Sequence, residues 1–440
     1  DKERAGDYLG RDVEFIPHVT GEIKNFARKL ALKSNSDIVL IEIGGTVGEI
    51  QNSIYLEAMR ELAYEEGREN VCFINVTYVL QPNSLGEQKS KAAQLGIKAL
   101  MSVGIQPDII VCRSENPVSE KIKEKISIYS NVPVSRTIGF HDTRNIYKFP
   151  FTLKEKSIDN AVFDILHLKP GQPHSDIKDW KNLLKKIGNP EKQLTIGIAG
   201  KYTNVHDSYM SILKALEHTA PYSNASINIK WIETMNIETG KTSVEEAMKD
   251  VDGMIVPGGF GKRGAEGKIK CIQYLRENNI PYLGLCFGFQ MAVIEYARNV
   301  CNIQEANSTE IEPDCKEPVI DILPEQKELE GLGGNMRLGT YPAILTKGSK
   351  IFSLYNQEKI DERHRHRYEV NNKYLETLEK NGLIFSGRSP KGSLMEFLEL
   401  PNHKFFIGTQ AHPCFKSKPT SPSPVFNGFI KAALEHSNEK

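Results

Sequence analysis

The sequence predicts an α/β protein that is built from two parallel-sheet domains. Short apolar stretches alternate with amphipathic helical patterns over residues 37–130, and the same alternation returns over residues 194–300. Strands that are apolar on both faces are typical of a parallel sheet with helices on both sides. Residues 169–193, between the two alternations, are polar and carry Pro and Gly near both ends, which is typical of a linker.

The first alternation predicts three strands and three helices. The strands are the apolar stretches DIVLIEIGG, VCFINVTYV and DIIVCRSE, at 37–45, 71–79 and 108–115. A helical pattern follows each of them, at 53–67, 87–104 and 119–130. We therefore expect a first domain over residues 1–168, followed by a linker over 169–193 that contains one helix.

The second alternation predicts four strands with helices between them. The strands are LTIGIAG, SINIKWIE, DGMIVPGGFG and PYLGL, at 194–200, 226–233, 252–261 and 281–285. The helical patterns lie at 208–220, 268–278 and 286–300, and a later apolar stretch, KFFIGTQ at 404–410, predicts a further strand. We expect a second domain over residues 194–435 and a short tail over 436–440.

Composition excludes several classes of protein. Lys plus Arg and Asp plus Glu both number 56 in the 440 residues, so the net charge of zero gives no general attraction to nucleic acid or membrane. No apolar run reaches the length of a membrane span. Seven cysteines without CxxC pairs are typical of a reducing compartment, so we expect a cytoplasmic protein. The chain begins DKERAGDYLG, without Met, and we expect that it lacks its own front end.

Cys286 has the sequence context of a catalytic nucleophile. It follows the predicted strand 281–285 within Gly284-x-Cys286-x-Gly288, and a helical pattern begins at once. Small residues on both sides permit a sharp strand-to-helix turn that projects a nucleophile. The helix N-terminus is expected to favour the thiolate. For an isolated GxCxG motif, a buried structural cysteine is an equally good interpretation.

Two further features favour the catalytic interpretation. The loop VPGGFGKRG at 256–264 offers backbone N–H groups for an oxyanion, and His412 follows a late strand, as a general base does in this arrangement. Cys414 stands two residues after His412, where an acid normally orients such a base. A thiol is a weak hydrogen-bond acceptor and is largely neutral, so it orients imidazole poorly.

These motifs together resemble a family. Strand–GxCxG–helix, PGGFG and the late strand–His resemble a class I glutamine amidotransferase. The segments ANSTE (306–310), GGNMRLG (333–339) and ERHRHRYEVNN (362–372) resemble the glutaminase domain of the CTP synthase family in particular. In the first half, six segments resemble the back part of the family's P-loop-type synthetase domain. They are KERAGDYLG, FIPHVT, IEIGGTVGEI, GEQKSKAAQ, GIQPDIIVCR and NIYKFP.

The resemblance implies a ligase with glutaminase activity. Such enzymes phosphorylate the uracil O4 of UTP with MgATP, and ammonia released from glutamine in the other domain displaces the phosphate. ATP, UTP and glutamine would be the substrates, Mg²⁺ the cofactor that accompanies ATP, GTP an allosteric activator and CTP a feedback inhibitor. The resemblance also implies a homotetramer, with filaments as a further assembly.

The resemblance also implies roles for individual residues. Cys286 matches the nucleophile, His412 the base and Cys414 the position of the triad acid. The glutamine and oxyanion contacts match Gly259, Phe287, Gly288, Phe289, Gln290, Glu310 and Arg367. The UTP and CTP site matches Glu49, Ile50, Gln51, Asn52, Ser53, Ile54, Lys89, Ser90, Lys91, Ala92, Ala93, Gln94 and His141. ATP contacts match Ser157, Ile158 and Asp159, and a magnesium ligand matches Glu42.

Simpler interpretations stand beside these roles. Glu42 alone indicates only the end of a strand before the Gly44-Gly45 turn, and KSKAAQLGIKAL alone indicates a basic helix with a solvated face. The histidines of RHRHR share one face of a strand, which suits a metal or a phosphate. The three interleaved arginines oppose a cation, so the pattern argues against a metal.

The departures from the family limit the expected activity. Besides His-Pro-Cys for His-Pro-Glu, the chain has GEIQN for GDIES and KSKAAQ for KTKPTQ, and its 440 residues contain no GxxxxGK[ST] phosphate loop. The leading hypothesis is a CTP synthase that is truncated or divergent and impaired. The rival is a non-catalytic paralogue with an assembly or regulatory role. A stand-alone glutamine hydrolase is disfavoured by the retained synthetase half.

Overall fold

The computed structural model divides the chain into two compact units, residues 1–173 and 174–440. It describes residues 2–82, 86–143, 145–169, 176–188, 190–201, 206–322 and 336–440. Both units are α/β with parallel strands, which confirms the predicted fold class. None of the described helices has both the length and the apolar character that crossing a bilayer requires.

The first unit is organised around a small parallel sheet. Its strands are β1 (Ile74–Tyr78), β2 (Ile109–Ser114) and β3 (Thr137–His141), in that spatial order. The described helices are α1 (Thr20–Ser34), α2 (Ile50–Glu66), α3 (Lys91–Ser102), α4 (Glu120–Ser130), α5 (Phe149–Glu155) and α6 (Ile158–Ile165). Ile110 and Cys112 of β2 pack against Ile97 of α3 and Ile126 of α4, so these helices cover one face of the sheet.

The strand predicted over residues 37–45 is wrong. No described strand pairs with this stretch, and its apolar side chains are exposed, with Leu40 91% and Ile41 47% accessible. A strand needs a hydrogen-bonded neighbour. β1 lies at the edge of the sheet, and its Val76 side is likewise open, with 63% of the residue accessible. The apolar pattern therefore has no described surface against which it could be buried.

The second unit contains the larger sheet. Its strands are β4 (Lys192–Gly200), β5 (Ala225–Glu233), β6 (Gly253–Val256), β7 (Tyr282–Leu285), β8 (Ala306–Ser308), β9 (Glu317–Asp321), β10 (Arg337–Leu345), β11 (Lys359–His366), β12 (Glu369–Val370), β13 (Ile384–Arg388), β14 (Met395–Glu399) and β15 (Phe406–Thr409). The nine-stranded order is β11-β10-β13-β14-β15-β7-β6-β4-β5, and β12-β9-β8 form a second, small sheet.

Helices surround this sheet. They are α7 (Asp176–Ile187), α8 (Met210–Thr219), α9 (Thr234–Glu238), α10 (Val244–Met248), α11 (Ala265–Glu277), α12 (Phe287–Asn299), α13 (Lys350–Tyr355), α14 (Leu375–Lys380) and α15 (Pro424–Glu439). The helix predicted within the linker is α7, while residues 170–175 and 189 of that linker lie outside the described residues.

The nine-stranded sheet is parallel in only part of its width. β15, β7, β6, β4 and β5 run parallel, as predicted, whereas β11, β10, β13, β14 and β15 pair antiparallel. β11 explains why the apolar runs did not reveal this half: its residues are alternately exposed and buried, and the buried ones include Glu362, His364 and His366. Antiparallel strands with one covered face alternate in this way.

Candidate functional site

A strained turn carries Cys286 between β7 and α12. Its φ of 51° and ψ of −99° lie in a region that residues with a side chain rarely adopt. A Cβ on Gly288 would lie 2.0 Å from the Val256 carbonyl oxygen, and one on Gly284 would lie 2.1 Å from the Tyr282 hydroxyl. Both neighbours must therefore be glycine for the helix to begin so close to the sheet. The predicted strand–turn–helix geometry is present.

His412 reaches the same place from the adjacent strand. β15 pairs parallel with β7, with Thr409 opposite Leu285, so the two chains leave the sheet at the same edge. A Cβ on Gly258 would lie 2.9 Å from His412 Cε1 and 3.6 Å from Cys286 Cβ. The loop after β6 therefore contacts both residues. Only a glycine leaves room for them there.

Backbone and ring contacts hold His412. The backbone N–H of His412 donates to the Arg363 carbonyl oxygen at 2.8 Å, and the imidazole ring stacks on the Phe415 ring with centroids 5.2 Å apart. Within the described part of the chain, Nε2 is buried without a hydrogen-bond partner. An unpaired ring nitrogen in this position can accept a proton.

The thiol of Cys286 is neutral in the free site. Only 3% of the residue is exposed, and burial raises the pKa of the thiol to about 12, with Glu310 adding to the effect. The Phe287 N–H and Gln410, whose Nε2 lies 3.7 Å from Sγ, act in the opposite direction. The Phe287 N–H at the helix N-terminus thus favours the thiolate in the predicted direction, but desolvation outweighs it, so the thiol stays neutral in the free site.

The imidazole of His412 is neutral as well. Burial lowers its pKa to about 4, and the positive charge of Arg365 acts in the same direction. The site therefore contains a neutral thiol and a neutral imidazole. Proton transfer from sulfur to the ring would create two charges inside a buried site.

Cys414 does not take the place of the orienting acid. Its Sγ lies 3.7 Å from Ser211 Oγ. Burial, with a contribution from the nearby Glu362 carboxylate and against the hydrogen bond with Ser211, raises the pKa of its thiol to about 11. The group is therefore neutral at physiological pH. Among the described residues, the charge that shifts the pKa of His412 is that of Arg365, and not that of a carboxylate.

Two predicted glutamine contacts lie beside the glycine loop. Glu310 Oε1 accepts the Gly261 N–H at 2.8 Å. Burial raises the pKa of the Glu310 carboxyl, while this hydrogen bond and the charge of Arg367 lower it. The structure thus brings together an anion, a cation and the loop, the groups that a free amino acid needs for its ammonium and carboxylate.

The predicted contacts on α12 are interior. Phe289 is fully buried, and Gln290 Nε2 donates to the Tyr368 carbonyl oxygen at 3.0 Å and to Gln410 Oε1 at 3.3 Å. Gly288 is pressed against Val256. These three residues fix the helix against the sheet, and Phe287 differs because its N–H faces the sulfur of Cys286.

Sequence reasoning missed two residues of this site. Gln410 contacts Cys286 Sγ, and its place between a strand and His412 in GTQAH was a usable signal. Lys268 is 2% exposed, with its Nζ 4.8 Å from the centre of the Phe287 ring. No sequence pattern pointed to Lys268, because one polar position in an amphipathic helix is unremarkable.

The first unit contains a cavity of about 890 Å³. Lys89, Ser90, Lys91 and Gln94 from the predicted nucleotide segment line it. Lys121 and Lys125 of α4 face them, one helical turn apart, and were not predicted. Four lysines around one cavity suit a polyanion such as a triphosphate.

The other predicted nucleotide residues do not line this cavity. Residues 49–54 begin α2, where Gln51 is exposed and Asn52 Nδ2 donates to the Thr46 carbonyl oxygen at 2.9 Å. His141 is exposed at the end of β3, Ala92 is exposed, and Ala93 is buried. Residues 157–159 begin α6, with Ser157 at a positive φ of 56°. The structure therefore does not unite these segments in one cavity.

Glu42 is not at the end of a buried strand. It is exposed, and within the described ranges no three His, Cys, Asp or Glu side chains cluster as a metal site requires. Mg²⁺ prefers several oxygen ligands. The donor set does not fit a magnesium site, and we assign no chemical step to Glu42.

A strained cysteine, a histidine from the neighbouring parallel strand and a glycine loop between them form the arrangement that the class I glutamine amidotransferase resemblance leads one to expect. Residues 204–432 match the family model described as glutamine amidotransferase class-I, and residues 1–168 match that described as CTP synthase N-terminus. The chain belongs to the CTP synthase family.

Relatives named CTP synthase are similar over nearly the full chain. The protein from Carboxydothermus hydrogenoformans is 50% identical over 99% of this chain and 80% of its own length. Those from Caldanaerobacter subterraneus subsp. tengcongensis and Pyrococcus furiosus are each 48% identical, over 98% and 100% of this chain and 80% and 81% of their own lengths. The Trypanosoma brucei CTPS glutaminase domain with bound acivicin is 35% identical with a TM-score of 0.51, over 55% of this chain and 94% of that domain.

Proposed function

We propose that this chain is a CTP synthase in which glutamine hydrolysis at Cys286 supplies ammonia for the ATP-dependent amination of UTP, with impaired activity. One observation carries the proposal: Cys286 occupies a strained turn, and the loop at Gly258 contacts both it and His412. Backbone strain that costs stability is retained mainly at functional sites. Membership of the CTP synthase family, with relatives about 48–50% identical, supports the same conclusion.

The geometry suggests how glutamine is cleaved. His412 Nε2 takes the thiol proton as Cys286 Sγ attacks the amide carbon, and the C=O electron pair moves onto oxygen. We assign the N–H groups of Phe287 and Gly259 to that oxyanion. The intermediate collapses with the proton returned to nitrogen, so ammonia leaves and a thioester remains. Water, activated by His412, then releases glutamate and restores the thiol.

In the first unit we assign the triphosphate of UTP, or of CTP as inhibitor, to the lysine cavity. Lys89, Lys91, Lys121 and Lys125 supply the positive charge. The remaining parts of the proposal follow from the family. They are ATP with Mg²⁺ as substrate, GTP as activator, a cytoplasmic location and a homotetramer that forms filaments. Exposed apolar side chains on α1 and α2, among them Phe26, Leu32 and Tyr64, support self-association.

Two features support impairment. Cys414 is a neutral thiol where the family has its acid, and loss of a triad acid costs about 10⁴-fold in rate in a related enzyme. These 440 residues also contain no GxxxxGK[ST] sequence to bind the phosphates of ATP. We expect slow glutamine hydrolysis and no CTP synthesis by this polypeptide.

Two assays test the proposal. The electrophilic glutamine analogue 6-diazo-5-oxonorleucine should label Cys286, and Cys286→Ala should lose both labelling and ammonia release. Mass spectrometry locates the label, and the buried Cys271 serves as internal control. The second assay supplies UTP, ATP and ammonium chloride. CTP above background would contradict impairment of the synthetase half, while labelling at another cysteine would contradict the assigned nucleophile.

The second candidate is a non-catalytic paralogue with an assembly or regulatory role. It is favoured because Cys414 is neutral and because Glu42 is exposed and belongs to no described cluster of possible metal ligands. It predicts neither labelling nor hydrolysis, together with intact nucleotide binding.

A further inference from the structure

Lys268 is a buried cation behind the candidate glutaminase site. It lies on α11, and only 2% of the residue is exposed. Its Nζ lies 4.8 Å from the centre of the Phe287 ring and 3.4 Å from the position that a Cβ on Gly259 would take. Phe287 and Gly259 are the two residues whose N–H groups we assign to the oxyanion. The ammonium therefore lies behind both of them.

Lys268 has no carboxylate within 4.0 Å in the part of the chain that the structure describes. Each of the other two buried cations in the described residues forms two ion pairs. Lys24 bonds to Glu61 and Glu65, and Arg337 bonds to Glu369 and Glu396. An unpaired buried ammonium is costly, so the chain tolerates Lys268 at the expense of stability.

The surroundings of Lys268 keep the ammonium in place. A Cβ on Gly267 would lie 2.0 Å from the Thr234 carbonyl oxygen, so the first turn of α11 is fixed against the start of α9. Burial lowers the pKa of Lys268 to about 8, and the positive charge of Lys201 adds to this effect. Cys286, Cys271 and Glu310 act in the opposite direction, and the group remains mostly charged at neutral pH.

We propose that Lys268 is a positioning residue of the glutaminase, whose fixed charge stabilises the negative charge that forms on Cys286 Sγ and on the glutamine carbonyl oxygen. This inference rests on the proposed glutaminase function. The resting thiol and imidazole are both neutral, so attack creates negative charge where none existed. A fixed cation nearby favours that charged state and needs no rearrangement when the charge appears.

Three variants test the proposal. Lys268→Met keeps the apolar length without the charge, Lys268→Arg keeps the charge, and Lys270→Met changes an exposed lysine on the same helix. In ammonia release from glutamine, we expect Lys268→Met to lower kcat at least about tenfold with little change in KM, because the charge acts in the transition state. Lys270→Met should match the wild type, and Lys268→Arg should recover most of the loss.

The rate at which iodoacetamide alkylates Cys286 measures the effect of the Lys268 charge on the thiolate in the absence of glutamine. Loss of a nearby cation raises a thiol pKa by about one unit or more, which leaves about a tenth of the thiolate. The more basic thiolate regains about threefold in reactivity, so Lys268→Met should alkylate about threefold more slowly at fixed pH. Thermal unfolding of Lys268→Met should be unchanged or shifted to higher temperature, because an unpaired buried charge has been removed.

The outcomes separate the inference from the proposed function. A wild-type kcat and alkylation rate in Lys268→Met would overturn the inference, as would a raised KM with unchanged kcat, which indicates contact with the substrate. Lower thermal stability with no rescue by Lys268→Arg would show a structural role and would also overturn it. If the wild type fails to hydrolyse glutamine, the proposed function fails, and alkylation alone decides the inference.

Discussion

The two units differ in how they enclose their candidate sites. In the second unit Leu283 and Leu285 of β7 and Phe406 and Ile407 of β15 are fully buried, and the strands deliver Cys286 and His412 into a buried site. In the first unit the lysines that line the cavity are exposed. Burial changes the protonation states of the second site, whereas the first site presents solvated charges. The same α/β pattern therefore supports two different kinds of chemistry.

The largest effect is expected from a glycine substitution in the second unit, and a glycine substitution in the first unit provides the contrast. In Gly288→Ala the new Cβ would meet the Val256 carbonyl oxygen at 2.0 Å, and neither backbone can move without distorting the turn. We expect this variant to destabilise the second unit by about 3 kcal/mol or more and to abolish labelling of Cys286. Gly96→Ala lies within α3 of the first unit, with no atom within 4 Å of the new Cβ. It should stabilise that unit by about 0.5–1 kcal/mol.

Tryptophan fluorescence separates the two units in this test. Both tryptophans, Trp180 and Trp231, belong to the second unit, so their fluorescence follows its unfolding alone. Circular dichroism follows both units. An unchanged fluorescence transition in Gly288→Ala would show that the turn relaxes easily, and the assignment of a rigid elbow would then be wrong.

The second effect is a gain of activity. Cys414→Glu should supply the missing carboxylate and raise glutamine hydrolysis at least about tenfold, a conservative part of the cost of losing a triad acid. Combination with His412→Ala should remove the gain. The charge of Glu362 already acts on position 414, so a second carboxylate there is repelled, and adding Glu362→Gln should increase the gain further. No change of rate in Cys414→Glu would mean that another group orients His412.

Residue patterns revealed most of the second site but not its protonation. The glycines around Cys286, the loop at Gly258 and the strand before His412 leave local signatures, because a tight turn restricts residue type. Burial of the thiol and the approach of Lys268 depend on elements distant in sequence. For that reason the sequence predicted the helix N-terminus that favours the thiolate but not the burial that keeps the thiol neutral.

In the first unit the pattern was less informative. Apolar residues 37–45 predicted a strand, but strand formation depends on a neighbour that the sequence pattern does not specify. Lys121 and Lys125 were missed because exposed lysines are common on helices, and only the fold brings them opposite Lys89 and Lys91. The antiparallel half of the larger sheet was missed because its buried positions carry Glu and His.

A smaller effect is expected at the lysine cavity. Lys125→Met should weaken UTP binding about tenfold, since one charge-assisted hydrogen bond contributes about 1.5–3 kcal/mol and exposure reduces this. Lys98→Met, an exposed lysine on α3 outside the cavity, is the matched control. Calorimetry should also show that added salt weakens wild-type binding more than binding by Lys125→Met. Equal UTP affinities of Lys125→Met and Lys98→Met would show that the triphosphate does not bind in this cavity.

The last expected effect is a pH dependence confined to the second unit. His403 is buried, its Nε2 lies 3.1 Å from the Leu275 carbonyl oxygen, its Nδ1 accepts the Phe405 N–H, and burial lowers its pKa to about 4. The unfolded chain binds a proton near pH 6.5 and the folded chain only near 4, so the unfolded state holds more protons in between. Stability from this group is therefore full above pH 6.5 and falls on acidification, by at most about 1.4 kcal/mol per pH unit.

His403→Gln isolates this contribution, because glutamine does not titrate. The variant is expected to be less stable than the wild type at pH 7, since it makes poorer hydrogen bonds, and to lose that disadvantage as the pH falls from 6.5 to 4. Tryptophan fluorescence at several pH values measures the difference in the second unit, and the first unit should unfold identically in both proteins. A constant difference across this range would show that His403 is protonated in the folded state. The contrast between a second site whose thiol and imidazole are held neutral by burial and an open first site would then not extend to this residue.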